Sequence, residues 1–240
     1  MATLMDNARY FNRELSWLAF NRRVLEESQN RGHPLLERLR FLSISGNNLD
    51  EFFSVRVAGL KGQQLQDIDE RSVDGLTVGQ QLTAISADAD ALMGNQQSVW
   101  EAIREELDAA GIVVLDHNEV QGEAADWLER HFRDQIFPVL TPQALDPAHP
   151  FPFIPSQGLS IIFDLKRLDD GEPIRELVMI PSTLPRFVRL PGVAAQFMTL
   201  ENVLRRFTRL LFPGYEVIAA ITLGFTSIMF LPSNSKLWAN

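Results

Sequence analysis

The first half of the chain places apolar residues at the spacings of an amphipathic helix. Apolar side chains recur three, four and seven residues apart from about Arg13 to Gln29, and a similar run follows Pro34. A third run extends from Asn48 toward Gln66. Residues at these spacings share one face of an α-helix, so the pattern predicts three helices that pack by their apolar sides.

Residues 45–51 predict the point at which the second helix ends and the third begins. Gly46 suits the left-handed conformation that closes a helix, and Asn48 followed by Glu51 resembles a capping box. A helix start exposes backbone N–H groups, but Asp50 and Glu51 would place negative charge beside them and disfavour a phosphate. The Asn48 amide has a donor and an acceptor, so it is either a cap only or a contact to a nucleobase edge, a ribose or a metal-bound water.

A fourth helix is longer, and the character of the chain changes after it. Thr77 and Gln80 form a second capping-box pair ahead of a near-heptad apolar pattern that stops at Gly111. Beyond Gly111, short β-branched runs and turn signals predict strands. The predicted elements are a strand at 112–115, a helix at 123–137, a rigid proline-rich loop at 146–155, a hairpin formed by 159–168 and 174–180, a short element at 186–190 and a helix at 200–212.

Together these elements predict an α+β fold. An antiparallel helical bundle is expected over residues 1–111, followed by a mixed α/β domain over residues 112–240. A chain of 240 residues is long enough to form two such domains.

Composition excludes several kinds of site. The chain has no cysteine, so disulfides and thiolate chemistry are ruled out, and its four histidines lack the spacing of a metal site. The net charge is −9, and residues 67–140 hold sixteen acids against four basic residues, so nucleic acid is not an expected partner. No secretory signal is visible, and polar residues interrupt the uncharged run at 217–235, so a cytoplasmic protein without a membrane span is expected.

Arginines near the C-terminal end allow two interpretations. Arg205 and Arg209 are predicted to share a helix face, where guanidinium groups can hold the phosphates of a nucleotide or polyphosphate. Glu201 lies four residues before Arg205, a favourable ion-pair orientation, so an ion-paired face turned to solvent is the preferred interpretation. The arginines whose role stays open are Arg186, Arg189, Arg205, Arg206 and Arg209.

Ordered blocks of the sequence resemble the N-terminal part of bacterial polyphosphate kinase, of the type that makes long chains. They include Glu-Leu-Ser-Trp-Leu at 14–18 and Asn-Asn-Leu-Asp-Glu-Phe-Phe at 47–53. The resemblance covers residues 9–216. Further blocks lie at 20–21, 23–25, 34–42, 55–56, 140–142, 146–153, 185–191 and 211–214.

The resemblance implies an enzyme that transfers the terminal phosphate of ATP reversibly to polyphosphate, with Mg²⁺ and through a phosphohistidine. It implies that Asn48, the second asparagine of its motif, contacts the nucleotide ATP or ADP. It also implies a homo-oligomer formed through the N-terminal and head domains, in the cytoplasm or within a membrane-associated complex. The family's catalytic histidine and its magnesium-binding and phosphate-binding arginines belong to a C-terminal half, so no catalytic or metal-binding residue is expected here.

The sequence departs from the family pattern after Glu216 or Val217, where an uncharged tail begins. A truncated, frameshifted or fused gene product would have this appearance, so the head domain is expected to be incomplete and the tail poorly packed. The chain alone is expected to be inactive. The alternative is a non-catalytic helical module for binding or assembly, without relation to an enzyme.

Overall fold

The computed structural model describes residues 9–224, except residues 69, 147, 149, 156, 157 and 193. The described residues form two compact units that divide between Glu106 and Leu107. Helices make up the first unit, and the second combines helices with two small sheets. The predicted α+β fold class is therefore confirmed.

Four α-helices and a π-helical segment organise the described residues of the first unit. The predicted capping box forms at the start of the longest helix: the Thr77 N–H donates to Gln80 Oε1 at 2.9 Å, and the Gln80 N–H donates to Thr77 Oγ1 at 3.2 Å. The first helix begins after Asn12, whose side-chain oxygen accepts from the Glu14 and Leu15 amides. The elements are α1 (Arg13–Gln29), α2 (Leu35–Glu51), the π-helical segment (Phe52–Val57), α3 (Ala58–Leu65) and α4 (Val78–Ala109).

The predicted helix junction at residues 45–51 is wrong. α2 continues without a break through the π-helical segment into α3, and the Phe52 N–H bonds back to the Asn48 carbonyl. Gly46 therefore lies inside a helix, where a glycine costs about 1 kcal/mol relative to alanine. Burial of Leu49, Phe52 and their apolar neighbours outweighs that cost, since each such side chain contributes roughly 1.5–3 kcal/mol. Asn48 is not a cap, and no helix start presents free N–H groups there.

The second unit contains two sheets. A three-stranded sheet has the order β1-β6-β5, and an antiparallel four-stranded sheet has the order β2-β4-β3-β7. The hairpin predicted around residues 169–171 is confirmed as the β3–β4 pair. The elements are β1 (Ile112–Leu115), α5 (Glu123–His131), β2 (Pro142–Ala144), β3 (Leu159–Arg167), β4 (Pro173–Ile180), β5 (Phe187–Arg189), β6 (Ala195–Thr199), α6 (Leu200–Arg206), α7 (Thr208–Leu211) and β7 (Tyr215–Gly224).

The prediction of poor packing beyond residue 217 is wrong as far as Gly224. β7 runs antiparallel to β3 from the Arg167–Tyr215 pair to the Leu159–Gly224 pair. A β-bulge between Asp164 and Leu165 interrupts the register. Because the chain pairs along nearly the whole of β3, the uncharged residues supply one edge of the sheet. Residues 225–240, the rest of the predicted tail, lie outside the described residues.

Apolar residues from both sheets and from α5 and α6 form the core of the second unit. Phe132 stacks on Phe207 with ring centroids 4.6 Å apart, and Phe163 packs against Phe212 at 5.1 Å. The helix predicted over residues 200–212 is interrupted at Phe207, which separates α6 from α7. Across residues 9–224, apart from the gaps named above, no helix has the length and hydropathy needed to cross a membrane.

Candidate nucleotide site

A cleft of about 410 Å³ opens beside α1 and the helical rod that α2 and the π-helical segment form. Successive lining residues on each helix are one or three positions apart, so they fall on one side of that helix. α1 contributes Arg13, Glu14, Trp17 and Phe20, and the rod contributes Asn48, Glu51, Phe52, Val55 and Arg56. We refer to this feature as the Asn48 cleft.

Asn48 is half-buried and is tied to a hydrogen-bond chain that leads into the interior. Its Nδ2 donates to Asn21 Oδ1 at 3.2 Å. Asn21 is fully buried on α1, and its own Nδ2 donates to the Ser45 carbonyl at 2.9 Å. Gln96 on α4 completes the chain by donating to Ser45 Oγ at 2.9 Å. The amide of Asn48 is thus positioned by three helices.

Aromatic rings form the apolar part of the cleft. Trp17 and Phe52 stack with their ring centroids 4.8 Å apart and an interplanar angle of 16°. Phe20 is 47% exposed, so its ring remains available to a ligand. Aromatic faces of this kind suit a flat aromatic group such as a nucleobase.

Charges of both signs line the cleft. Arg56 Nη1 and Glu14 Oε2 form an ion pair at 3.1 Å that joins α1 to the π-helical segment. Arg13 has no ion-pair partner among the described residues, and Glu51 is exposed on the rod. Partial burial raises the pKa of the neighbouring Asp50 carboxyl. Because two arginines accompany two glutamates, charge alone does not select a polyanion here.

The five arginines near the C-terminal end do not form one cluster. Arg206 donates to the His117 and Val120 carbonyls at 2.7 and 2.9 Å, and Arg205 donates to Thr222 Oγ1 at 2.8 Å. The predicted Glu201–Arg205 ion pair is wrong, because Glu201 pairs with Arg186 at 2.5 Å.

The remaining two arginines lie apart from those contacts. Arg189 is on β5, and Arg209 lines a separate cavity with Tyr215. The break at Phe207 divides the helix face that Arg205 and Arg209 were predicted to share.

The histidines have local partners. His33 contacts the Glu27 carboxylate at 3.0 Å, His117 contacts Asp116 at 2.8 Å, and His131 stacks on Trp127. His149 lies outside the described residues. No group of three or more histidine, aspartate or glutamate side chains that could hold a metal ion occurs in the part of the chain that the structure describes.

Sequence reasoning singled out Asn48 but missed the residues that surround it. The helical spacing of Trp17 and Phe20 is typical of core residues, although Phe20 is partly exposed in the cleft. Asn21 belongs to a block that carries the family resemblance, yet a lone asparagine on a predicted helix gave no signal of its burial. The role of Asn48 as a nucleotide contact stays a prediction.

Comparison with known proteins identifies the family. Sequence models of the polyphosphate kinase N-terminal domain and the polyphosphate kinase middle domain match residues 10–115 and 123–226. A polyphosphate kinase of Erythrobacter litoralis is 55% identical over 210 residues, which are 88% of this chain and 29% of that protein. A polyphosphate kinase of Synechocystis is 44% identical over 220 residues, which are 87% of this chain and 30% of that protein.

A solved structure shows the same fold. The crystal structure of polyphosphate kinase from Porphyromonas gingivalis matches with a TM-score of 0.78 and 31% identity, over 88% of this chain and 32% of that one. The chain therefore spans about a third of the length of the relatives it matches. Since two domain models match in order and a structure agrees with them, the chain belongs to the polyphosphate kinase family, of which it carries the N-terminal and middle domains.

Proposed function

We propose that this chain serves a polyphosphate kinase, an enzyme that transfers the terminal phosphate of ATP reversibly to polyphosphate. Family membership supports this activity class, and it disfavours the alternative of a helical module unrelated to an enzyme. In this proposal the chain supplies one side of the ATP site, and the phosphohistidine chemistry belongs to the portion of the relatives that the chain does not match.

The Asn48 cleft is the observation that carries the proposal. An asparagine amide, an exposed phenylalanine ring and a stacked aromatic pair meet in one concave site, which is the combination that suits a nucleoside. The sequence-based reason for excluding phosphate was a helix start at Asn48, and that helix start does not exist. Glu14 and Glu51 now support the same preference, because their carboxylates offset the two arginines of the cleft.

The remaining ligands and partners are proposed from the family resemblance. Mg²⁺ is proposed to be held by the portion of the relatives that the chain does not match, as the resemblance implies. Polyphosphate is the proposed acceptor. A homo-oligomer formed through the N-terminal and head domains is proposed as well, and the large exposure of Phe11 (88%) and Phe153 (84%) is consistent with surfaces that another chain covers.

Substitution of Asn48 tests the site in the complete enzyme that carries this sequence. Asn48→Ala is expected to raise the KM for ATP roughly 5- to 30-fold, because one hydrogen bond to the nucleoside is lost. The neighbouring Asn47 is exposed and does not line the cleft, so Asn47→Ala is the matched control and should leave KM unchanged. An unchanged KM for Asn48→Ala, with a lower Tm, would show that Asn48 has a structural role only.

A further inference from the structure

We infer that Asn21 holds the amide of Asn48 with its oxygen toward the cleft, so that the site takes a ligand group that donates a hydrogen bond. This inference rests on the proposed function and adds the chemistry that the nucleotide must offer. The candidate donors on ATP are the 6-amino group of adenine and the ribose hydroxyls. Asn21 is a positioning residue in this scheme, since it does not line the cleft.

The orientation is fixed by the hydrogen-bond chain. A backbone carbonyl can only accept, so the Ser45 carbonyl at 2.9 Å requires the NH₂ group of Asn21. Asn21 Oδ1 then faces Asn48 and can only accept from it, which assigns the Asn48 atom at 3.2 Å as Nδ2. Each hydrogen bond therefore permits one placement of the oxygen and nitrogen in the side-chain amide, although the two atoms are alike in size and shape.

The same series of hydrogen bonds leaves Asn48 Oδ1 able to accept a hydrogen bond from a ligand. No described residue donates a hydrogen bond to that oxygen, and Asn48 lines the cleft. Asn21 is 0% exposed, so water does not compete for the contact that orients Asn48. A donor on the ligand would bond to this oxygen, whereas an acceptor placed against the same oxygen would be repelled.

ATP analogues test the orientation in the unsubstituted complete enzyme. Purine riboside triphosphate lacks the 6-amino group, and 2′-deoxyATP and 3′-deoxyATP each lack one hydroxyl. We expect one of these analogues to bind roughly 5- to 30-fold more weakly than ATP, and we expect Asn48→Ala to abolish that difference. The analogue that is affected identifies the donor. Equal binding of all three, or a difference that persists in Asn48→Ala, would overturn the inference.

Variants of Asn21 test its positioning role. Asn21→Leu, which keeps the branched shape but has no hydrogen-bonding group, is expected to raise the KM for ATP about as much as Asn48→Ala does, with kcat unchanged. The double variant should be no worse than Asn48→Ala alone, because both substitutions remove one interaction. Ser28→Ala is the matched control: Ser28 is also fully buried on α1, but its hydroxyl bonds to the Leu25 carbonyl, away from the cleft.

The outcomes separate the two proposals. If Asn48→Ala leaves the KM unchanged, the proposed nucleotide site itself fails. If Asn48→Ala raises the KM but Asn21→Leu behaves as Ser28→Ala does, only the positioning role of Asn21 fails. Asn21→Ala replaces Asn21→Leu if the larger side chain prevents folding, and the analogue measurements need no Asn21 variant.

Discussion

Buried polar residues of the helical unit connect its helices. Asn21 bonds to the Ser45 carbonyl, which joins α1 to α2. Arg38 on α2 donates to the Ser28 carbonyl on α1 at 2.8 Å and to both carboxylate oxygens of Glu106 on α4. A buried polar group costs free energy unless it is hydrogen-bonded. These contacts therefore favour the observed packing of the helices over other packings that bury as much apolar surface but leave the polar groups without partners.

Arg38 is expected to stabilise the packing of the helices. Arg38→Met is expected to lower the free energy of unfolding by about 1–3 kcal/mol, because the Ser28 carbonyl would lose its partner in a buried place. Urea unfolding of the purified chain measures the change. Arg40→Met is the control, since the Arg40 side chain is 71% exposed and pairs with Glu37 at a distance of 3.8 Å, so its loss should stay within about 0.5 kcal/mol. Equal losses for both variants would contradict the role given to Arg38.

The effect of Asp50 on the stability of the fold is expected to depend on pH. Burial raises the pKa of its carboxyl in the folded state, so ionised Asp50 destabilises the fold once the pH exceeds the pKa values of both states. Asp50→Asn should therefore raise Tm at pH 7, and the gain should disappear below about pH 3, where the carboxyl is protonated in both states. Thermal scans across this range check the sign. A gain that grew as the pH fell would contradict the burial argument, and Asp90→Asn on the exposed surface of α4 is the control.

Helix ends were easier to predict than helix continuity. Thr77 precedes α4 and makes the capping-box contacts that the sequence predicts. Asn12 caps α1 in the structure, at the place where the apolar pattern predicts that helix to begin. Gly46 and Asn48 carry similar local signals, yet the rod continues through them. The difference lies in the residues after Asn48, since Phe52 and its neighbours are buried in the unit and require the helix to extend. The π-helical segment that starts at Phe52 is a departure from α geometry that often accompanies functional sites.

The capping box at the start of α4 is expected to stabilise that helix. Thr77→Ala removes the hydroxyl that accepts from the Gln80 amide, so stability should fall by about 0.5–2 kcal/mol in denaturant unfolding. Thr83→Ala is the matched control, because Thr83 lies inside the same helix and its hydroxyl bonds back to the Gly79 carbonyl. That change should be neutral or slightly stabilising, given the higher helix propensity of alanine. The same loss at both positions would show that the cap has no special effect.

At the scale of the whole molecule, the chain holds two folded units but matches only about a third of the length of its relatives. The purified 240-residue chain is therefore expected to make no detectable polyphosphate from ATP and Mg²⁺. A phosphorus NMR assay of the reaction mixture checks this, with the full-length Erythrobacter litoralis polyphosphate kinase as the positive control. Robust synthesis by the chain alone would contradict the assignment of catalysis to the unmatched portion.

Local signals and the order of the sequence blocks were enough to predict α1, the capping box of α4, the β3–β4 hairpin, the α+β class and the family. These features depend on residues close together in the chain or on the blocks themselves. The continuity of the α2 rod, the pairing of β7 with β3 and the partners of the arginines could not be predicted in this way. Each depends on contacts between residues far apart in sequence. The same reason explains why Asn48 was found from its motif, whereas the buried Asn21 that positions it became visible only when α1 and α2 were packed together.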